Sequence, residues 1–424
     1  MSLHPEAQER NERLSALAPI VLEALSPLGK RSFFPKGIPF QSAQAKDCRI
    51  NATIGQITDG ADNPIPLAPM AEKLSALPQK DVFLYTPVQG RDQARSAWHK
   101  KLVEEDARMA PTGHGQVAAG ICHAISMGAD LFFAEGETIV MPDLHWDNYD
   151  QIFSVRLNAK IITYPFYSED GGFNLEGLKR ALASVSGKVH AILNFPSNPT
   201  GFSPSPEDML RIAEILIEAA SSRIVVAFCD DAYHGLVYEK SAAAKSLFFE
   251  LIEKHTNLIP LKCDGITKEL SFFGGRVAFL HFGIAKDVSD ILVDKCKGLI
   301  RAGIGGTVSI SQVLLETELA DPRHHSEMER VRLILDERYK ALKQALSEPS
   351  PHWETLPFNS GCFCLLKLKD GIDAEILRQK LIKEENVGLV SQGKRYIRLA
   401  FCSLRKEDIP PLIEALKRAC DKTL

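Results

Sequence analysis

The sequence predicts an α/β fold built on a mostly parallel sheet, and three observations carry that expectation. Short apolar runs rich in β-branched residues alternate with helical stretches through the middle of the chain. The 424 residues are 45% hydrophobic and 25% charged, the balance of a globular chain with a sizeable core. From about residue 320 the pattern turns to an α+β alternation, which marks a second, smaller domain. Lys and Arg total 50 against 54 Asp and Glu, a net charge of −4. Nothing in that balance points to nucleic acid or an anionic membrane.

Taken in order, the N-terminal segment is expected to hold one amphipathic helix, about Glu6 to Leu25. Its polar, mixed-charge start is unlike a secretory leader. A stretch bearing Pro and Gly, SFFPKGIPFQSAQAK, follows. Strands are expected at ETIVM (137–141), AKIITYPF (159–166), VHAILNF (189–195), RIVVAFC (223–229), NLIPLKC (257–263) and RVAFLHFG (276–283). GQVAAGICHAISMGA and SPEDMLRIAEILIEAASS have helical spacing. The last hundred residues offer a long charged helix, HHSEMERVRLILDERYKALKQALSE, whose charged face is expected to be solvated. The strand GCFCLLKL, the helix DAEILRQKLIKEE, the strand YIRLAFC and a final helix come after it. No apolar run approaches the ~20 residues of a membrane span. Nine cysteines without a CxxC pair suit reduced thiols, so a cytoplasmic location is expected. Twelve histidines form no HExxH or Cys/His pattern, and no metal is expected.

Four segments sit at strand ends, where open α/β sheets place their ligands. They are NFPSNPTG with Asn198, CDDAYHG with Asp230 and Tyr233, DGITKELSFFGGRVAF with Lys268 and Arg276, and YIRLAF with Arg398. Each alone has an ordinary explanation: a turn, a helix cap, a solvated lysine, a structural ion pair. In this order and spacing they closely resemble the fold-type-I pyridoxal-phosphate-dependent aminotransferases of class I/II. The resemblance runs from about Asn51 to the C-terminus.

The resemblance implies a seven-stranded-type, mostly parallel sheet in a large cofactor domain over 61–318. A small α+β domain would be built from both termini, 1–60 and 319–424. Pyridoxal 5′-phosphate would be held by Lys268 through a Schiff base, and the freed amine would shuttle a proton. Asp230 would pair with the pyridinium nitrogen, and Tyr233 and Asn198 with the ring's phenolic oxygen. Arg276 would bind the phosphate. Arg398 would take the substrate α-carboxylate, aided by a backbone contact at Gly55. Gly113, His114 and Gly115 would form a phosphate cradle at a helix start, and Trp146 would stack on the ring. Tyr85 would reach the phosphate of a neighbouring subunit, making a homodimer with shared sites. Thr307, Ser309 and Ser311 are further candidates to reach that phosphate. The family's serine three positions before the lysine is replaced by Gly265, so either Thr267 or a backbone N–H takes over, or the phosphate has one contact fewer.

The activity implied is amino-group transfer between an L-amino acid and a 2-oxo acid. A carbon–sulfur β-lyase would use the same core residues. A non-catalytic cofactor-binding regulator is a third possibility, but only about 50 residues precede Asn51, without a basic balance. Phe33, Phe34 and Phe40 suit a large apolar side chain. Arg301 lies where an arginine for a distal carboxylate would come from the partner subunit, which leaves aromatic and dicarboxylic donors both open.

Overall fold

The computed structural model describes residues 3–422. Seven strands form one sheet in the spatial order Gln116–Ala118, Ala278–Phe282, Leu258–Gly265, Val225–Asp230, Val189–Asn194, Thr138–Pro142, Lys160–Tyr164. Only Ala278–Phe282 runs against its neighbours. All six expected apolar runs are strands of this sheet. Val189–Asn194 and Val225–Asp230 are buried at every residue, as a parallel sheet covered on both faces requires.

Two expectations are corrected. GQVAAGICHAISMGA is not one helix: Gln116–Ala118 pairs with Ala278–Leu280, and the helix Ile121–Phe132 begins only after Gly120 at φ +88°. Tertiary strand pairing overrides local helical spacing there. The N-terminal helix is also broken. Pro5–Leu17 and Pro19–Ala24 are separate, and Ala18 leaves the helical region because the ring of Pro19 crowds it.

A second core lies beside the first. Four antiparallel strands, ordered Val390–Gln392, Tyr396–Ala400, Phe363–Leu368, Trp353–Thr355, form its sheet. Ile50–Asn51 pairs with Val387–Gly388, so residues near the N-terminus complete the C-terminal unit. The helix His324–Ala345 belongs to both cores: Val331 and Leu335 pack in the large one, Tyr339 and Leu342 in the small one. The division between units therefore runs through this helix.

Register does the positioning. Asn194, Asp230 and Cys263 stand side by side at the carboxyl ends of three adjacent parallel strands. The turn Asn198–Gly201 is pinned to the small unit, because Asn359 and Ser360 N–H groups both donate to Gly201 O at 2.9 Å. Gly201 has φ +69°, and a Cβ there would lie 1.9 Å from Phe363 O, so only glycine permits this contact.

His99 and His190 are buried in this fold, and desolvation pushes each imidazole down to about 4. In the unfolded chain both titrate near 6.5, so between those values the unfolded state binds more protons. Stability is therefore fully present above about pH 6.5 and falls toward pH 4, by up to roughly 3 kcal/mol per histidine. Thermal denaturation across this range is expected to show that slope, and His99→Gln to flatten it.

Candidate active site

A cleft of about 700 Å³ opens between the two cores. Gly55, Trp146, Asn198, Asp230, Tyr233, Thr267, Lys268, Arg276 and Arg398 all line it, so most residues singled out in the sequence converge on one place.

Asp230 ends the strand Val225–Asp230 and is 2% exposed. Its Oδ2 accepts from the Tyr149 hydroxyl, and its Oδ1 accepts from Ala232 N at 3.1 Å. Desolvation pushes the carboxyl up to about 6 despite those donors and the nearby Lys268 charge. Asn194 fixes the neighbouring backbone. Its Nδ2 donates to Asp230 O at 2.7 Å, and its Oδ1 accepts from Asn198 N at 2.7 Å.

Lys268 sits in the short helix Ile266–Glu269 that follows the strand Leu258–Gly265. Its Nζ lies 5.2 Å from the centre of the Tyr233 ring. Burial lowers its pKa, opposed by the charge of Asp230. A desolvated amine of this kind is a stronger candidate nucleophile and base at neutral pH than a solvated one.

Arg398 is 2% exposed, and no carboxylate of the described residues lies within ion-pair distance. Its Nη2 donates to Thr53 O at 2.6 Å and its Nη1 to Asn198 Oδ1 at 3.0 Å. Its guanidinium lies 4.4 Å over the Phe363 ring, and Nε has no partner. Gly55 closes over the same ring, where a Cβ would stand 2.5 Å from Phe363 Cζ. A buried guanidinium without a counter-ion is costly unless an anion completes it.

The opposite end of the cleft suits a phosphate. Arg276 Nη2 donates to Ala119 O at 3.3 Å and presses so close to Gly120 that a Cβ there would lie 2.2 Å away. Gly120 caps the helix Ile121–Phe132, whose N-terminal end carries the positive pole of the helix dipole. Thr267 Oγ1 is buried without a partner beside it. An orphaned hydroxyl, a guanidinium and a helix start, with Lys268 next to Thr267, fit pyridoxal phosphate.

Gly113, His114 and Gly115 are not brought to the cleft. They precede the strand Gln116–Ala118, and the helix starts six residues later, at Ile121. A Cβ on Gly113 would meet Ser289 at 2.6 Å, and one on Gly115 would meet His281 at 2.7 Å, so both pack against other elements. His114 O accepts from Arg95 Nη2 at 3.0 Å. Tyr85 is fully exposed and lies outside the cleft of its own subunit. Residues the sequence did not single out include Asn194, Tyr149, Phe363 and Gly120. Tyr149 lies three residues after Trp146, its ring edge-on at 5.6 Å, and that aromatic pair was the available signal.

Fold and cleft together define a two-domain enzyme with a desolvated lysine, a buried carboxylate and a buried arginine around a phosphate-sized cradle. The family model for aminotransferase class I and II matches residues 49–416, and the chain belongs to that family. The mitochondrial aspartate aminotransferase of Dictyostelium discoideum is 25% identical over 69% of this chain and 68% of its own length. The aspartate aminotransferase of Pyrococcus abyssi is 22% identical over 75% and 79%. Among solved structures, an Anaerococcus prevotii aminotransferase superposes with TM-score 0.80 at 20% identity, covering 94% of this chain and 99% of that one. The Pyrococcus horikoshii aromatic aminotransferase gives 0.73 at 21% identity, covering 91% and 99%. The protein is a pyridoxal-phosphate-dependent aminotransferase.

The missing serine at position 265 has a steric cause. A Cβ on Gly265 would lie 2.5 Å from Ala278 Cα and 2.6 Å from Val277 O. Restoring the serine, Gly265→Ser, is expected to destabilise the fold by about 2 kcal/mol without tightening cofactor binding. Denaturant titration and a cofactor-binding isotherm check both.

Proposed function

We propose that the cleft exchanges an amino group between an L-amino acid and a 2-oxo acid in two alternating half-reactions, with Arg398 holding each substrate's α-carboxylate. The observation that carries this is the buried guanidinium of Arg398, with no carboxylate of the described residues at ion-pair distance, in the cleft that also holds Lys268 and Asp230. Its planar fork matches a carboxylate through two parallel hydrogen bonds.

Bound pyridoxal phosphate supplies an aldehyde to condense with the amino group and a ring that draws electrons from Cα. The chain's own groups do the rest. Lys268 Nζ would take the proton from Cα and deliver it to the cofactor's former aldehyde carbon in one half-reaction, and would run that transfer backwards in the other; its lowered pKa suits the exchange near neutrality. Asp230 would keep a proton on the ring nitrogen, and an opposite charge there would draw its carboxyl back down from about 6. Tyr149 and Ala232 N fix the plane of that carboxylate. Tyr233 and Asn198 would serve the ring oxygen, Trp146 would flank the ring, and Thr267, Arg276 and the Ile121 helix start would hold the phosphate.

We also assign a homodimer. Phe83, Leu84 and Tyr85 are exposed at 81%, 66% and 103%, and Ile304 and Val308 at 49% and 44%. The two segments adjoin, because Thr86 Oγ1 donates to Thr307 O at 2.8 Å and Ser309 Oγ bonds Asp81 O. An apolar patch of this kind on a single subunit suits a second copy. All nine cysteines are free thiols, in keeping with a cytoplasmic home.

Lys268→Ala is expected to remove the visible band of covalently held pyridoxal phosphate and to lower turnover at least ~10³-fold. Transamination persisting near the wild-type rate would sink the mechanism. Arg398→Lys is expected to raise KM for amino acids roughly 10- to 100-fold, because a point charge replaces a fork. Steady-state kinetics on both variants decide it.

A further inference from the structure

Asp147 is a charged group in the cleft that the mechanism does not use. It lines the main cleft, the small side pocket of about 30 Å³ next to Arg398, and an outer chamber of about 390 Å³. It has no ion-pair partner among the described residues, whereas its neighbour Asp150 lies 3.4 Å from His145. Its Oδ2 accepts a long contact, 3.4 Å, from Ile38 N, and the Asn148 backbone N–H also serves the carboxylate. Gly37 lies so close to that carboxylate that a Cβ would stand 2.3 Å from Oδ2. Burial pushes the carboxyl up, and Arg398 is the first charge that opposes the shift.

The outer chamber also carries Glu6, Lys36 and Asp150, whereas the main cleft around Asp147, apart from Gln56, Asn148 and Gln151, is largely apolar. Phe33, Phe34, Ile38, Ile54 and Phe273 line it, and Phe34 and Ile54 remain 62% and 42% exposed. The cations of the main cleft are Lys268, Arg276 and Arg398, each already assigned to nucleophile, phosphate or α-carboxylate. Arg301 is exposed and lies outside this lining.

Resting on the aminotransfer reading above, we propose that Asp147 is a specificity-determining residue: the cleft takes amino acids with large, uncharged apolar side chains, and Asp147 turns away dicarboxylic ones. A second carboxylate placed in the outer cleft would meet a like charge in a partly desolvated setting, where repulsion is far less screened than in water. A large apolar group would instead cover Phe33, Phe34 and Ile54.

The test uses the holoenzyme and single-turnover conversion of its bound cofactor by phenylalanine, leucine, glutamate and aspartate. In the wild type, phenylalanine or leucine is expected to exceed glutamate in kcat/KM by at least about tenfold. Asp147→Asn keeps the shape and the acceptor for Ile38 N; it is expected to narrow that ratio about tenfold, while Asp147→Glu preserves it. Calorimetric binding of 3-phenylpropionate against succinate gives the same comparison without turnover, and Asp147→Asn is expected to gain affinity for succinate only. A wild type that prefers glutamate and loses the preference in Arg301→Ala overturns the assignment. So does an Asp147→Asn ratio equal to wild type. Failure of every amino acid to convert the cofactor, with 3-phenylpropionate still bound over succinate, overturns the aminotransfer reading and leaves the selectivity of the cleft standing.

Discussion

Asp230 is a carboxylate held where water does not reach it, and much of the cleft is arranged around that fact. Burial alone raises its pKa, and two donors, the Tyr149 hydroxyl and Ala232 N, are set against that penalty without cancelling it. A carboxyl left near 6 is one that gains by receiving a cation. The same burial acts in reverse on Lys268, which it drives toward the neutral amine. One desolvated volume thus primes a carboxylate to take a positive ring and a lysine to act as nucleophile and base, with no further group needed to tune either.

That volume exists because two cores face one another across a few tight contacts. Gly201 abuts Phe363 O, Gly55 abuts the Phe363 ring, and Arg398 lies over the same ring while bonding Asn198 from the other unit. Arg398 is therefore shared: its strand belongs to the small unit and one of its partners to the large one. An α-carboxylate arriving at Arg398 would act on both sides of the cleft at once. The helix His324–Ala345, packed in both cores, is the continuous element across which such a change would be carried.

Much of this was legible in the chain. The β-branched runs became strands because a sheet buried on both faces needs them. Asn198, Asp230, Tyr233, Lys268, Arg276 and Arg398 met because the carboxyl ends of adjacent strands meet. What was not legible depended on long-range pairing. Gly113, His114 and Gly115 have the composition of a helix cap, but Gln116–Ala118 is taken up by the sheet and moves the helix start to Gly120. Asn194 and Tyr149 carried no motif of their own, and their roles follow from register and from a ring set edge-on against Trp146. The departure at Gly265 looked like a lost phosphate contact; the backbone of Val277 and Ala278 shows that no side chain fits there. Asp147 was hidden inside the aromatic motif that holds Trp146.

The central claim is that this cleft transfers an amino group and keeps it. Its most direct test is mass spectrometry of the cofactor released after the pyridoxal-phosphate form meets one L-amino acid at a time, without a 2-oxo acid. Stoichiometric pyridoxamine phosphate, together with the matching 2-oxo acid and no free ammonia, is the predicted result. Ammonia and pyruvate from a cysteine conjugate, with the cofactor recovered unchanged after every amino acid, would contradict the account.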